Sequence, residues 1–287
     1  MGSIIFGLKK KMDQINSKIK PFLRWAGGKT WLLKDIEKYL PLRFNNYFEP
    51  FIGGGSVYIH LKATGRIKNE AFLSDRNIKL INAYNVIKHE PLKLIESLKS
   101  FKNEKEFYYS QRGQKLKNNI KQAAQFIYLN RTSFNGIYRV NLKGEYNVPY
   151  GFKNYKTLFD LENLLQLSQL FQNAYFDAFD FEEILEKVKK DDLVFLDPPY
   201  TVAHENNGFI KYNQKIFAWE DQERLANFIE KLKLKQAYFI MTNAAHVNIN
   251  ELFKDVGNKQ KLNRFSVIGG KGAKREEISE YIFTNCV

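Results

Sequence analysis

The segment that is best suited to bind a ligand or to catalyse a reaction is Asp197-Pro198-Pro199-Tyr200. It directly follows the short apolar run Leu193-Val194-Phe195-Leu196. The run has the length of a buried strand, and the proline pair ends it because proline has no N–H to donate to a sheet. Backbone carbonyls and the Asp197 carboxylate are then directed into a crevice as hydrogen-bond acceptors. Acceptors can hold an exocyclic amino group with its lone pair toward an electrophile, and Tyr200 offers a flat face for a base. An ordinary strand end with a surface Asp is the simpler alternative.

Two further carboxylates, Glu49 and Asp75, each lie at the end of a strand-like segment. Ligands of doubly wound sheets bind beyond the carboxyl ends of strands, where a carboxylate can take hydroxyl or ammonium hydrogens of a nucleoside. The run Gly53-Gly54-Gly55 permits close approach of the backbone. The third glycine of a dinucleotide fingerprint is missing, because position 58 is Tyr. We therefore expect a nucleoside ligand without a diphosphate.

Strand-like and helical patterns alternate along most of the chain with short connections. This alternation predicts an α/β fold: a doubly wound, mostly parallel sheet with helices on both faces. The strand-like segments are 47–51, 71–74, 193–196 and 237–241, and the helical patterns are 30–39, 56–61, 78–87, 181–188 and 221–232.

Residues 76–165 break the alternation and read as an inserted, mainly helical domain. They carry 16 Lys and Arg against 7 Asp and Glu, which is +9 of the net charge of +14. Such an excess favours a polyanionic partner, with a solvated helical face as the alternative. We expect a basic arm at 1–18, a core domain formed by 19–75 and 166–287, and a domain at 76–165 that faces a polyanion, either nucleic acid or an anionic membrane surface.

Several other classes are excluded. A single cysteine, Cys286, excludes disulfides, cysteine-ligated zinc and iron–sulfur clusters. No apolar stretch has the length of a membrane span or of a signal peptide, so we expect a cytoplasmic protein without a membrane or metal partner. Gly28-Lys29-Thr30 looks like the end of a phosphate-binding loop, but position 23 is Leu where that motif needs glycine. The histidines are scattered without metal-ligand spacing: His60, His89, His204 and His246.

The chain resembles the Dam-type DNA adenine-N6 methyltransferases (D12 class, alpha group). In that family the cofactor motif precedes the target-recognition insert and the catalytic motif follows it. Six matching segments occur in the family's order: Pro21–Lys29, Phe48–Gly55, Ser74–Asn77, Asn130–Gly136 continuing to Arg139–Asn141, Asn147–Gly151, and Asp197–Tyr200.

The resemblance implies the S-adenosylmethionine-dependent methyltransferase fold, with roles for individual residues. Asp197, Pro198, Pro199 and Tyr200 form the catalytic motif that holds a flipped target adenine. Asn135, Tyr138 and Arg139 lie on a hairpin that enters the major groove, where Arg can bind guanine. Relatives often carry Ser and Thr after the motif where this chain has His204 and Asn206. The S-adenosylmethionine contacts are Trp25, Lys29, Glu49, Phe51, Gly53, Asp75, Asp180, Phe181 and Asp197, and the DNA contacts are Asn130, Arg131, Asn135, Tyr138 and Arg139.

The expected activity is methyl transfer from S-adenosylmethionine to N6 of an adenine flipped out of double-stranded DNA. Close relatives with the Asn-Gly-x-Tyr-Arg hairpin commonly read GATC, and we expect that site here. We also expect a monomer in solution. An RNA adenine methyltransferase, a DNA cytosine-N4 methyltransferase and a non-catalytic DNA-binding protein on this fold are the alternatives. Whether the enzyme maintains methylation or serves restriction–modification stays open.

Overall fold

A computed structural model describes residues 19–141, 143–200, 217–265 and 277–286. The strands form a seven-stranded sheet in the order β3-β2-β1-β4-β5-β7-β6. The order runs outward from β1 in both directions, which confirms the doubly wound, mostly parallel α/β fold. The strands are β1 (Tyr47–Glu49), β2 (Ala71–Ser74), β3 (Ala174–Asp177), β4 (Leu193–Leu196), β5 (Tyr238–Ala244), β6 (Asn258–Phe265) and β7 (Glu277–Thr284).

The chain divides into two compact units. The first comprises Met1–Thr30 and Ile52–Phe179, and the second comprises Trp31–Phe51 and Asp180–Val287. In the second unit β1, β4 and β5 are parallel neighbours, while β7 pairs antiparallel with both β5 and β6. Every residue of β4 is buried, in agreement with the apolar run that predicts it.

The first unit holds the parallel pair β2 and β3 and most of the helices. Its core is aromatic: Tyr84 stacks on Phe176 with ring centroids 4.8 Å apart, and Phe171 contacts both rings. A second cluster in the same unit contains the buried rings of Tyr108 and Tyr128. The described α-helices of both units are α1 (Ser56–Ala63), α2 (Ile78–His89), α3 (Pro91–Lys99), α4 (Lys105–Gly113), α5 (Asn119–Thr132), α6 (Leu161–Leu170), α7 (Trp219–Leu234) and α8 (Val247–Leu252).

Two segments that the sequence predicts as helices are 3-10 helices in the structure. The pattern at 30–39 becomes Leu32–Lys34 and Ile36–Tyr39, because the backbone of Asp35 (φ −111°, ψ −7°) interrupts a continuous helix. Asp is a weak former of helix interiors, since its side chain competes for nearby backbone groups. The pattern at 181–188 becomes Phe181–Glu186.

Some expectations fall on residues whose structure is not described. The basic arm at 1–18 and the positions His204 and Asn206 lie outside the described residues. Among the residues that are described, no helix combines the length and the apolar character that crossing a bilayer requires. The described part of the chain also contains no group of His, Cys, Asp and Glu arranged to hold a metal ion.

Candidate active site

From β1 the strand order proceeds to β2 and β3 on one side and to β4 and β5 on the other, so the connections switch sides between β1 and β4. Crevices for ligands lie outside the carboxyl ends of the strands at such a switch point. Glu49 is the last residue of β1, and Asp197 directly follows β4. The two strands are parallel, with Phe48 opposite Val194, so both carboxylates lie at the same edge. Glu49 is buried, and one of its oxygens accepts a 2.7 Å hydrogen bond from the Tyr47 hydroxyl.

The Asp197 side chain is half-buried and is held by the neighbouring strand. The Thr242 hydroxyl, fully buried on β5, donates a 2.7 Å hydrogen bond to Asp197 Oδ1. A carboxylate has about four acceptor positions, so this bond orients the group and leaves capacity for a ligand N–H. The next two residues, Pro198 and Pro199, have carbonyls but no backbone N–H. The end of β4 is therefore rich in acceptors.

Tyr200 is fixed through its hydroxyl, which donates a 2.5 Å hydrogen bond to Oε2 of Glu280 on β7. Burial raises the pKa of the Tyr200 hydroxyl well above its ordinary value, and the negative charges of Glu280 and Asp197 raise it further. The hydroxyl consequently remains a protonated donor at neutral pH. Glu280 has no exposed surface.

An aromatic cluster in the same unit joins Phe51 to Phe181. Their ring centroids lie 5.4 Å apart, and Phe217 meets both rings at 5.7 and 6.0 Å. Phe181 and Phe217 are buried and Phe51 is half-buried, so Phe51 is the ring of this cluster that a planar ligand can reach. The structure therefore brings together two residues that the sequence places 130 positions apart.

Asp180 caps the 3-10 helix that begins at Phe181, and Arg224 of α7 fixes its carboxylate. Arg224 Nη2 lies 2.7 Å from Asp180 Oδ1 and 2.6 Å from Glu182 Oε2, while Nη1 lies 2.7 Å from Asp221 Oδ1. The guanidinium also lies over the Phe181 ring, 4.9 Å from its centroid. Hydrogen bonds to these carboxylates, that to Glu182 first, raise the pKa of Arg224.

In the first unit, the glycine loop meets Asp75 and Trp25. The Gly53 N–H donates a 3.2 Å hydrogen bond to Asp75 Oδ2, and the Asn77 N–H donates a 2.9 Å bond to Oδ1. Gly53 has φ +46°, and a Cβ there would lie 2.7 Å from Cδ1 of the Trp25 ring. Both the conformation and the close approach therefore require glycine.

Asp75 directly follows β2 and is half-buried. Burial raises the pKa of its carboxyl, although the hydrogen bonds from Asn77 and Gly53 oppose the shift. Each oxygen accepts one of those backbone bonds, and a carboxylate can accept about two more. The arrangement suits a pair of ligand hydroxyls.

Lys29 is nearly fully buried. Its ammonium donates to the Gly27 carbonyl at 2.8 Å, and its N–H donates to Oγ of Ser56, the first residue of α1. Lys29 is thus linked to the turn that follows the glycine loop.

The residues expected to contact DNA fall into two groups. Asn130 is buried, and its side chain links two segments of the first unit. It accepts from the Arg24 N–H and donates to the carbonyls of Arg24 and Gly136. Arg131 donates to the Leu158 carbonyl at 2.8 Å, and its guanidinium lies 4.1 Å from the centroid of the Tyr155 ring.

Tyr138 stacks on Trp25, with centroids 5.4 Å apart, so it supports the ring that packs on the glycine loop. Asn135 and Arg139 are exposed. Asn135 has φ +56°, which turns the chain sharply. Arg139 Nε donates a 2.9 Å hydrogen bond to Asn147 Oδ1 across the hairpin, which holds the side chain at the surface.

Sequence reasoning missed three residues of this site: Thr242, Arg224 and Glu280. A usable signal existed for Glu280. The alternation of β7 puts it on the same face as Ile278 and Ile282, so its burial follows from the strand pattern. No comparable signal exists for Arg224, which meets Asp180 only through tertiary structure.

Comparison with known proteins gives consistent matches. The family profile of D12 class N6 adenine-specific DNA methyltransferase matches residues 25–267. The chain is 40% identical over 288 residues to the Type II methyltransferase M.MjaIII of Methanocaldococcus jannaschii, covering 93% of this chain and 99% of that protein. It is 35% identical to the Type II methyltransferase M1.LlaDCHI of Lactococcus lactis subsp. cremoris, covering 93% and 95%. It is 32% identical to the DNA adenine methylase of Haemophilus influenzae, covering 96% and 97%.

Proposed function

The chain belongs to the family of D12 class N6 adenine-specific DNA methyltransferases, and from this premise we propose that it methylates a flipped adenine within GATC, with S-adenosylmethionine as methyl donor. The family is defined by adenine in DNA, which disfavours the RNA, cytosine-N4 and non-catalytic alternatives. The observation that supports the proposal best is the acceptor set at the end of β4, where Thr242 orients Asp197 beside two prolines.

The residues at the carboxyl ends of the strands fit the cofactor. Asp75 would accept the ribose hydroxyls, because two backbone N–H groups orient its carboxylate and leave acceptor positions available. Phe51 and Phe181 would pack on the adenine ring of the cofactor, beside the carboxylate of Asp180. Trp25, Lys29, Glu49 and Gly53 would complete the site. S-adenosylmethionine supplies an electrophilic methyl carbon on a sulfonium.

The chemical task of the protein is to make a weak nucleophile reactive. The lone pair of adenine N6 is delocalised into the ring. Hydrogen bonds from N6 to the Asp197 carboxylate and the Pro198 carbonyl favour a pyramidal nitrogen and stabilise the positive charge that develops on it. The Tyr200 ring stacks on the base, a contact worth about 1–3 kcal/mol. Stacked N6 cannot reach a methyl donor, so the base must leave the duplex.

DNA recognition is assigned to residues 76–165, whose charge of +9 matches a phosphate backbone. Exposed Arg139 reads a guanine through O6 and N7, and Asn135 lies beside it on the hairpin. Asn130, Arg131 and Tyr138 would be further DNA contacts; Asn130 also donates to the Gly136 carbonyl and Tyr138 also stacks on Trp25, so these two position the hairpin as well. The protein acts as a monomer, so light scattering should give the molar mass of a single chain.

The proposal is tested by incubating unmethylated plasmid with the protein and S-adenosylmethionine and mapping every modified base. N6-methyladenine at GATC alone is expected. Modification of another motif would overturn the sequence assignment only, whereas N4-methylcytosine, or unmodified DNA with no heat of S-adenosylmethionine binding by calorimetry, would overturn the activity.

Base flipping has its own measurement. A GATC duplex with 2-aminopurine in place of the target adenine should become more fluorescent on binding, because the probe leaves the stack. The same probe one base pair outside the site is the control. Equal, small changes at both positions would contradict flipping.

A further inference from the structure

The Asp-Pro-Pro-Tyr segment has few backbone groups with which to fix its own conformation. Pro198 and Pro199 cannot donate hydrogen bonds, so the chain leaves β4 without the donors that would continue the sheet. A catalytic carboxylate and a stacking ring need fixed positions, since small displacements of reacting groups cost large factors in rate. The proline rings fix the local φ angles but do not tie the segment to neighbouring strands, so side chains are needed to hold it in place against the sheet.

Two strands provide that restraint from one face of the sheet. Thr242 on β5 donates to Asp197, and Glu280 on β7 accepts from Tyr200. In the antiparallel register, Glu280 lies opposite Ala244, two residues beyond Thr242. Side chains at alternate positions share a face, so Thr242 and Glu280 are diagonal neighbours. Thr242 thus holds Asp197 and also hydrogen-bonds the Tyr200 side chain, whereas Glu280 holds Tyr200 alone of the two.

Glu280 was not expected from the sequence. Unlike Asp75 and Asp197, it lies inside a strand, and its side chain has no exposed surface. A buried acid is costly unless it is hydrogen-bonded, and its 2.5 Å bond from the Tyr200 hydroxyl is short, as is typical for O–H···O⁻. A tyrosine that only stacks on a base does not need this partner. The bond fixes the ring plane.

We propose that Glu280 is a positioning residue for methyl transfer, which fixes the Tyr200 ring and, through it, the orientation of the flipped adenine toward the methyl donor. This role rests on the proposed function.

The test is a double-mutant cycle of Tyr200→Phe and Glu280→Gln. Each single variant should lower the single-turnover methylation rate at saturating DNA and S-adenosylmethionine, Tyr200→Phe by about 10- to 100-fold and Glu280→Gln by less, because the amide oxygen still accepts the hydroxyl. The double variant should be no slower than Tyr200→Phe alone. If the fold-reductions in rate of the two single variants multiply in the double variant, the residues act independently, and the proposal is overturned.

Three controls separate a positioning role from a structural one. Tyr281→Phe removes a hydroxyl from the next residue of β7, which faces the other side of the sheet, and should leave the rate unchanged. S-adenosylmethionine affinity should be equal in all variants, because neither Tyr200 nor Glu280 is among the expected cofactor contacts. The Tyr200 Cζ resonance, assigned by its loss in Tyr200→Phe, should shift in Glu280→Gln whether or not the protein is active.

The outcomes distinguish the two proposals. A wild-type protein that does not methylate adenine contradicts the proposed function. A wild-type protein that methylates adenine, with an unshifted Tyr200 resonance and independent variants, contradicts only the role of Glu280.

Discussion

Replacing Thr242 by Val removes the hydroxyl that donates to Asp197 and that also hydrogen-bonds the Tyr200 side chain. Valine is nearly isosteric, so no cavity forms, but Asp197 loses the 2.7 Å bond that orients its carboxylate. A hydrogen bond to a charged group is worth about 1.5–3 kcal/mol. Because Asp197 is half-buried and can bind water instead, the lower end applies, and about 1.4 kcal/mol corresponds to a tenfold change in rate. We expect single-turnover methylation of a GATC duplex to slow about tenfold, with S-adenosylmethionine affinity unchanged.

Thr284→Val is the matched control. Thr284 is also a buried threonine of the same sheet, but its hydroxyl donates to the Phe239 carbonyl at 2.8 Å and not to the active site. This variant should lose about 1–3 kcal/mol of unfolding free energy, because the buried Phe239 carbonyl loses a hydrogen-bond donor. Its methylation rate should equal that of the wild type. If both variants slow equally, or if Thr242→Val transfers methyl groups at full speed, the orienting role of Thr242 is wrong.

Three further changes probe the cofactor site. Gly53→Ala should cost about 1–3 kcal/mol of unfolding free energy, because the residue has φ +46° and its Cβ would meet the Trp25 ring; chemical denaturation checks the loss, and calorimetry should show weaker S-adenosylmethionine binding. Arg224→Ala should weaken S-adenosylmethionine binding by releasing Asp180, with the rate at saturating cofactor preserved; an unchanged affinity would contradict this role. Burial raises the pKa of Asp75 above its unfolded value, so its ionisation costs stability as pH rises through the folded pKa. Asp75→Asn removes this pH-dependent cost but places an amide NH2 against one of the two backbone N–H donors. Its stability relative to wild type in urea titrations should therefore rise from acid to neutral pH, and it should bind S-adenosylmethionine poorly; a relative stability that falls toward neutral pH would reverse the sign of the shift.

The parts of the fold that the sequence predicts well are those where local pattern and burial agree. The run at 193–196 is buried at every position and is followed by Asp197 and a proline pair. Both β4 and the acceptor groups at its end can therefore be predicted from the local sequence. The glycine loop similarly follows from residue type, because positive φ favours glycine at Gly53 and Gly55, and a Cβ there would meet the Trp25 ring or the Tyr84 hydroxyl. The helix pattern at 30–39 fails at Asp35, where one weak helix former divides the segment.

The parts that the sequence does not predict depend on contacts between distant residues. Asn130 and Tyr138 are predicted DNA contacts, and their packing on Arg24, Gly136 and Trp25 could not be read from the sequence. Sequence pattern indicates that a polar residue is present but not which surface it meets.

The most direct test of the central claim is the effect of Asp197→Ala on methyl transfer. With the acceptor removed from the end of β4, the single-turnover rate on a GATC duplex should fall by about 10²-fold or more, while calorimetric binding of S-adenosylmethionine, for which Asp197 is one of several expected contacts, should weaken far less. Asp177→Ala, an exposed carboxylate at the end of the edge strand β3, should retain the full rate. A rate for Asp197→Ala equal to that of Asp177→Ala, with both proteins folded, would contradict the account.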